Sequence, residues 1–226
     1  MAGSVHPRAR PHRSYGESGI TMTAHAIATT TDRAIIHPLW VRVCHWINAL
    51  AILVMIGSGW QIYDASPLFG FNFPSRIALG NWLGGALLWH FAAMWVLVTN
   101  GIVYLALGII SGRFRNKLFP IYPSEVIADI KAALTFKLAH DELSHYNAVQ
   151  KLLYTGVILA GIVIVLSGIS IWKPVQFQEL TALFGGYDAA RYVHFFAMAA
   201  IVGFLAVHIA LALLVPKSLR AMIAGR

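Results

Sequence analysis

Four long apolar stretches dominate the pattern of hydrophobic and polar positions along this chain. They cover approximately residues 39–63, 78–110, 152–172 and 190–215. Each is at least as long as the roughly 20 residues that an α-helix needs to cross a bilayer, and the second is long enough to predict tilting or projection beyond it. Because backbone groups in lipid must form hydrogen bonds within their own segment, the pattern predicts four transmembrane α-helices.

The polar segments complete the predicted domain organisation. Residues 1–36 are polar and irregular, which is typical of a disordered tail, and Met22 is an alternative start of the protein. The middle connection, residues 111–151, contains an amphipathic pattern that begins at Pro123 and has one apolar face: Val126, Ile127, Ile130, Ala133, Leu134 and Leu138. We therefore expect an all-α integral membrane protein, with a four-helix transmembrane bundle in residues 37–226 and one interfacial amphipathic helix between spans 2 and 3.

Composition supports the membrane class, and the charges predict an orientation. The chain has 226 residues, of which 58% are hydrophobic and 12% are charged. Its net charge of +8 does not indicate a nucleic-acid partner, because the positive residues gather between the apolar spans. Of the 17 lysines and arginines, only Arg76, Lys173 and Arg191 lie in the first and third loops. The positive-inside rule therefore predicts that both termini and the middle loop are cytoplasmic.

Four histidines lie within the apolar spans, where an imidazole is costly unless it has a partner. His194 and His208 are fourteen residues apart, so a helix places them on one face, about 21 Å apart along its axis. On the predicted topology, His45 lies at the depth of His208 near the cytoplasmic side, and His90 lies at the depth of His194 near the outer side. Two imidazoles from facing helices can hold a haem iron, so the spacing predicts two haems, one for each pair.

The cysteine content limits how a haem can be held. Cys44 is the only cysteine, so the sequence has neither a CxxCH attachment motif nor a cysteine-based zinc or iron–sulfur site, and the haems are predicted to be non-covalent b haems. A bis-histidine iron has no open coordination position, which favours electron transfer over substrate activation. Two other uses of the histidines remain open: hydrogen bonding between helices, and metal or proton transport, although the spans lack the acidic residues that transport usually requires.

Arginines and glycines near the histidines extend the haem hypothesis. Arg42 and Arg191 each lie three residues before a histidine, so each is predicted to pair with haem propionates at its own membrane face. Snorkelling to the lipid headgroups is the alternative. Several glycines in the spans would let a flat macrocycle approach the backbone, or would serve helix packing alone. They are Gly57, Gly59, Gly84, Gly85 and Gly203.

These residues resemble the bacterial cytochrome b561 and Ni,Fe-hydrogenase b-type cytochrome family, which includes the membrane subunits of formate dehydrogenases and thiosulfate reductases. The resemblance covers about residues 36–224. It rests on the histidines and on three short motifs: Arg42-Val-Cys-His45-Trp46, Tyr146-Asn147-Ala-Val-Gln150-Lys151 and Ser167-Gly-Ile-Ser-Ile-Trp172. It implies two b haems, paired as His45–His208 and His90–His194, which pass electrons between a peripheral redox subunit and quinone.

The resemblance also implies a place for the quinone. By position it nominates Asn147, Gln150 and Lys151, together with their neighbours His145 and Tyr154, beside the cytoplasmic haem. Val149 stands where the family pattern has a small glycine. The alternative is that this stretch is an ordinary polar entry into the third helix.

The leading hypothesis is a membrane-bound di-haem cytochrome b in the bacterial inner (plasma) membrane, an electron-transfer subunit with no catalytic residues of its own. The resemblance implies a partner of the hydrogenase, formate dehydrogenase or molybdopterin oxidoreductase type, and quinone as the second electron partner in a respiratory chain. One alternative is a stand-alone b561-type oxidase of superoxide or another small reductant, linked to quinone. The other is a haem-free structural anchor or transporter.

Overall fold

The computed structural model describes residues 36–135 and 146–225. Within these ranges the chain forms α-helices and no β-strand. The helices are α1 (Leu39–Ala65), α2 (Leu83–Ile110), α3 (Arg113–Leu118), α4 (Pro123–Leu134), α5 (Ala148–Trp172), α6 (Gln178–Leu183), α7 (Tyr187–Leu214) and α8 (Pro216–Ala224). The predicted disordered tail, except Ile36, lies outside the described residues, as do Leu138 of the amphipathic pattern and the quinone candidate His145.

In the described part of the chain, four helices are long and apolar enough to cross a membrane: α1, α2, α5 and α7. The predicted all-α fold with four spans is therefore confirmed. Many large apolar side chains on these helices are exposed, as lipid-facing residues would be, and Leu88, Ile109 and Leu214 are 74%, 70% and 76% exposed. The short helix α4 confirms the helix predicted from Pro123 onward.

The predicted start of the second span was wrong. The apolar pattern begins near residue 78, but α2 begins at Leu83 because Gly80 and Asn81 have φ angles of +115° and +61°. These left-handed conformations cannot continue an α-helix, so residues 78–82 form a turn before the span. The backbone N–H of Leu79 in this turn donates to the Gly57 carbonyl of α1 at 2.8 Å.

The third and fourth spans begin earlier than predicted, because polar or glycine residues form their starts. Helix α5 begins at Ala148, where Asn147 accepts a hydrogen bond from the Gln150 N–H at 2.8 Å. Helix α7 begins at Tyr187, directly after two glycines with positive φ, Gly185 and Gly186.

The long helices pack most closely in two pairs, α1 with α2 and α5 with α7. Between the pairs, imidazole rings meet: His45 of α1 lies beside His208 of α7, and His90 of α2 lies beside His194 of α7. The arrangement places all four span histidines in the interior of the bundle, between the two helix pairs.

Candidate haem-binding sites

The first histidine pair joins the beginning of α1 to the end of α7. The ring centroids of His45 and His208 are 5.9 Å apart, and the ring planes are inclined at 61°. Aromatic side chains support both rings. Trp46 meets His45 edge-on with centroids at 5.2 Å, and Phe204 stacks on His208 with centroids at 5.5 Å and planes 14° apart. This packing fixes where the two rings lie.

The second histidine pair lies where α2 and α7 begin. The centroids of His90 and His194 are 6.5 Å apart, with planes inclined at 62°. Each ring also takes part in a hydrogen bond at Nδ1. Ser58 Oγ lies 3.0 Å from His90 Nδ1, and Ser167 Oγ lies 3.1 Å from His194 Nδ1. Sequence reasoning missed both serines as site residues, although each stands in a buried position of an apolar span.

The spacing of both pairs is compatible with two imidazoles that would hold one metal ion between them. With about 2 Å from the metal to each imidazole nitrogen and about 1 Å from that nitrogen to the ring centre, two such rings would lie about 6 Å apart. The observed separations of 5.9 and 6.5 Å agree with that value. Because the pairs share α7 and their α7 histidines are fourteen residues apart, the two sites are about 21 Å apart along that helix.

The comparison with known protein families shows which family the chain belongs to. The model of the prokaryotic cytochrome b561 family matches residues 36–225. The chain belongs to that family. It is therefore a cytochrome b561-type, multi-pass membrane protein, from a family that binds b-type haem, and the family recognised from the sequence motifs is confirmed.

Two relatives have names that describe redox complexes. The chain is 54% identical over 190 residues to the putative protein-methionine-sulfoxide reductase subunit YedZ1 of Azospira oryzae. The matched region covers 84% of this chain and 96% of that protein. It is 23% identical over 215 residues to a probable Ni/Fe-hydrogenase B-type cytochrome subunit of Bradyrhizobium diazoefficiens, with 85% of each chain covered.

Two of the five glycines singled out in the sequence pack at the start of α2 in this cytochrome. A Cβ on Gly84 would lie 2.3 Å from the Trp82 ring, and one on Gly85 would lie 2.3 Å from the Gly80 carbonyl oxygen. Gly59 is different, because a Cβ there would lie 3.5 Å from Cε1 of His90. Gly59 therefore lets the imidazole lie close to the α1 backbone.

The remaining two glycines have other surroundings. A Cβ on Gly57 would lie 3.2 Å from Leu79 Cβ, so this glycine lets the turn before α2 pack on α1. A Cβ on Gly203 would have no neighbour within 4 Å, so its surroundings are open. The role of Gly203 beside a macrocycle stays a prediction.

The two predicted propionate partners lie at opposite ends of the cytochrome's bundle. Arg42 donates through Nη2 to the Ile223 carbonyl of α8, while its Nε is buried without a partner among the described residues. Arg191 donates through Nη2 to the Ser66 carbonyl at 2.6 Å and to Ser66 Oγ at 3.1 Å. A second buried donor without a described partner is Trp60 Nε1, two residues from Ser58. Buried N–H groups of this kind fit a carboxylate such as a haem propionate.

The quinone candidates form the start of α5. Asn147 and Gln150 make a capping box, since the Asn147 N–H also donates to Gln150 Oε1 at 3.2 Å. Asp129 of α4 accepts from the Ala148 N–H at 2.7 Å, and Lys151 Nζ donates to the Pro120 carbonyl at 3.3 Å. The structure thus gives this stretch a structural role. That role uses the side-chain oxygens of the two amides as acceptors and leaves their NH₂ groups as potential donors.

A row of aromatic rings connects this cap with the first histidine pair. Tyr146 lies next to Tyr154 with centroids at 5.1 Å, Tyr154 lies 6.4 Å from Phe204, and Phe204 stacks on His208. Of the candidates named from the sequence, Asn147, Gln150, Lys151 and Tyr154 therefore lie together at one end of the bundle, on the side of the His45–His208 pair.

A buried amide inside a span was also not singled out from the sequence. Asn100 of α2 is buried, and its Nδ2 donates to the Cys44 carbonyl at 2.8 Å and to Asn48 Oδ1 at 2.7 Å. These bonds join α2 to α1 directly beside His45. The available signal was the presence of an amide within an apolar span, where a polar group needs a partner.

Proposed function

We propose that this chain is a di-haem cytochrome b of the bacterial inner membrane that carries electrons between the quinone pool and a partner redox subunit. The observation that carries the proposal is the pairing of the four span histidines, with ring centroids 5.9 Å apart in one pair and 6.5 Å in the other. Each pair supplies two imidazoles at the spacing of axial ligands, and the pairs lie at two depths.

A bound haem supplies reversible one-electron transfer, while the chain determines where the haem sits and what surrounds it. His45 and His208 would hold one haem, and His90 and His194 the other. The apolar spans exclude water and keep the local dielectric low. Arg42 and Trp60 contribute buried N–H donors at opposite ends of the bundle, which suits propionates that point towards the two membrane faces.

The positive-inside rule supports an orientation with both termini cytoplasmic. The His45–His208 pair then lies on the cytoplasmic side, together with the start of α5. The amide NH₂ groups of Asn147 and Gln150 are donors that could bind quinone carbonyls there, and the Tyr146–Tyr154–Phe204 row connects that position to His208. The partner subunit would dock on the outer loops, residues 66–82 and 173–186.

A protein-methionine-sulfoxide reductase is the partner we favour, because the relative with 54% identity is named as a putative subunit of such a reductase. The chemistry sets the direction of electron flow. Reducing a sulfoxide to a thioether takes up two electrons and two protons and releases water, while oxidising a quinol to a quinone releases two electrons and two protons. The chain would therefore take electrons from quinol on the cytoplasmic side and deliver them outward.

A hydrogenase partner is the second candidate, supported by the relative with 23% identity. Electron flow would then run in the opposite direction, from hydrogen to quinone.

The test uses the purified cytochrome in liposomes with a quinol analogue, followed by optical spectroscopy of the haems. We expect the quinol to reduce the haems, and a purified protein-methionine-sulfoxide reductase with an oxidised protein substrate to reoxidise them. Reduction by hydrogen and a hydrogenase, without reoxidation by the reductase, would contradict the favoured partner.

A further inference from the structure

Two buried serines hold the two histidines of one pair. Ser58 on α1 contacts His90 on α2, and Ser167 on α5 contacts His194 on α7, at Oγ–Nδ1 distances of 3.0 and 3.1 Å. Both serines are 0% exposed. Each contact joins the two helices of one closely packed pair. The same serine–histidine contact therefore occurs in both helix pairs.

The serine hydroxyls show which way each hydrogen bond runs. Ser58 Oγ donates to the Val54 carbonyl at 2.6 Å, and Ser167 Oγ donates to the Val163 carbonyl at 2.8 Å, one turn earlier on the same helix. Because the hydroxyl proton is used in this bond, the oxygen is left to accept, and the imidazole Nδ1–H donates. The Nδ1 of His194 also lies 3.0 Å from the Ile164 carbonyl, which can only accept. This geometry therefore favours a proton on Nδ1 of both rings, which leaves Nε2 unprotonated.

A glycine follows each serine and makes the contact possible. A Cβ on Gly59 would lie 3.5 Å from Cε1 of His90, and a Cβ on Gly168 would lie 3.2 Å from Cε1 of His194. The second distance is tighter than ordinary van der Waals contact, so a larger residue would displace the ring. We call Ser58–Gly59 and Ser167–Gly168 the serine–glycine pairs. In each pair, the serine oxygen accepts the hydrogen bond from the ring Nδ1–H, and the glycine leaves room for the ring.

The other histidine pair has different surroundings. Among the described residues, no hydrogen bond reaches the ring of His45 or His208, and their ring contacts are with Trp46 and Phe204. A hydrogen bond from the distal N–H raises the basicity of a metal-bound imidazole, while an aromatic contact does not. The two pairs would therefore present a haem iron with imidazoles of different donor strength.

We propose that Ser58 and Ser167 are positioning residues that fix the tautomer of His90 and His194 and lower the reduction potential of the haem between them. The inference rests on the proposed di-haem function. A more basic imidazole donates more charge to iron and stabilises the ferric state relative to the ferrous state. The serine–glycine pairs thus set the potential of one haem independently of the other.

The test measures both haem potentials in Ser58→Ala, Ser167→Ala and the double variant. Ser170→Ala is the matched control, because Ser170 is also 0% exposed, lies on α5 and donates to the Leu166 carbonyl at 3.2 Å, and no bond joins it to a histidine in the described structure. Repeating the titrations in a His208→Ala background, which retains the His90–His194 pair, assigns each potential to its site. The second readout is the electron paramagnetic resonance g-values of the ferric haem.

We expect the potential of the His90–His194 haem to rise in each alanine variant, and further in the double variant, with a matching shift of its g-values. The other haem and the Ser170→Ala protein should keep their wild-type values. Ser167→Thr, which retains the hydroxyl, should restore the wild-type potential. If Ser167→Ala loses this haem, the presence of the haem in Ser167→Thr supports the same assignment.

Three results would overturn the inference. One is a protein with both haems whose potentials and g-values do not change in the alanine variants. Another is an equal shift in both haems or in Ser170→Ala, which would reflect general packing. The third is loss of the His90–His194 haem in Ser167→Ala that also occurs in Ser167→Thr. A wild-type protein without haem would instead overturn the proposed function, and with it this inference, before any variant is compared.

Discussion

The imidazole of His194 on α7 lies 6.5 Å, centroid to centroid, from that of His90 on α2, although the two residues are more than a hundred positions apart. The same helix brings His208 to 5.9 Å from His45. Helix α7 therefore supplies one histidine to each pair, while α1 and α2 supply one histidine each.

Each haem should depend on one histidine from α7 and one from the α1–α2 pair. His90→Ala or His194→Ala should remove one haem, and His45→Ala or His208→Ala the other, because an axial ligand is lost in each case. The double variant His45→Ala/His194→Ala should lose both haems, which is measured as haem per chain in purified protein. Recovery of one intact bis-histidine haem from that double variant would show that the pairing is wrong.

Replacing Asn147 separates its capping role from quinone binding. Asn147→Ser keeps a good N-cap for α5 but removes the amide NH₂ group. We expect the thermal stability to change little and the KM for quinol to rise several-fold, because a donor to the quinone carbonyl is lost. Asn147→Ala, which removes both functions, should also cost about 1 kcal/mol of stability. An unchanged KM in the serine variant would limit Asn147 to the helix cap.

The Asn100 side chain should contribute to the joining of α1 and α2. Asn100→Leu removes its bonds to the Cys44 carbonyl and Asn48 Oδ1, and interhelical hydrogen bonds in membranes contribute about 0.5–2 kcal/mol. We expect a lower thermal midpoint in detergent and a changed absorption spectrum at the nearby His45–His208 site. Thr99→Ala, at the exposed neighbouring position, is the control. Equal effects of the two substitutions would contradict a specific role for Asn100.

The pH dependence of stability should report on His37, which precedes α1. Burial, together with the charges of Arg113, His45, Lys117 and Arg42, lowers the pKa of His37 from 6.5 to about 4. Its Nδ1 accepts a hydrogen bond from Arg113 Nη2 at 3.2 Å, which requires a neutral ring. Since the folded pKa lies below the unfolded one, this contribution is present above pH 6.5 and is lost as the pH falls towards 4.

The variant His37→Asn keeps an acceptor for Arg113 but does not titrate. We expect the thermal midpoint of the wild-type protein to fall more between pH 7.5 and 5 than that of the variant. Parallel curves for the two proteins would mean that His37 does not contribute to the pH dependence.

The sequence predicted the spans and the histidine pairing because both depend on distance along a helix axis. Span length follows from the apolar runs, and depth follows from residue number, so the pairs His45–His208 and His90–His194 could be named without coordinates. Contacts that depend on the direction of a side chain around the helix axis could not be predicted in this way. A span that is apolar on all sides does not show which face meets its neighbour. The hydrogen bonds between Ser58 and His90 and between Asn100 and Cys44 were therefore missed.

Helix starts were also incompletely predicted, because they depend on backbone conformation and on distant side chains. The positive φ angles of Gly80 and Asn81 shortened the second span. The start of α5 is held in part by Asp129, nineteen positions before Ala148 in sequence, and hydrophobic periodicity carries no information on such a contact.

The proposed function depends most directly on the haem content of the detergent-purified chain, which is measured by pyridine haemochrome together with a reduced-minus-oxidised spectrum. We expect two b haems per chain, both low-spin and six-coordinate, one for each histidine pair. A single haem would contradict the assignment of two pairs as ligands. The absence of haem from correctly folded protein would contradict electron transfer as its function.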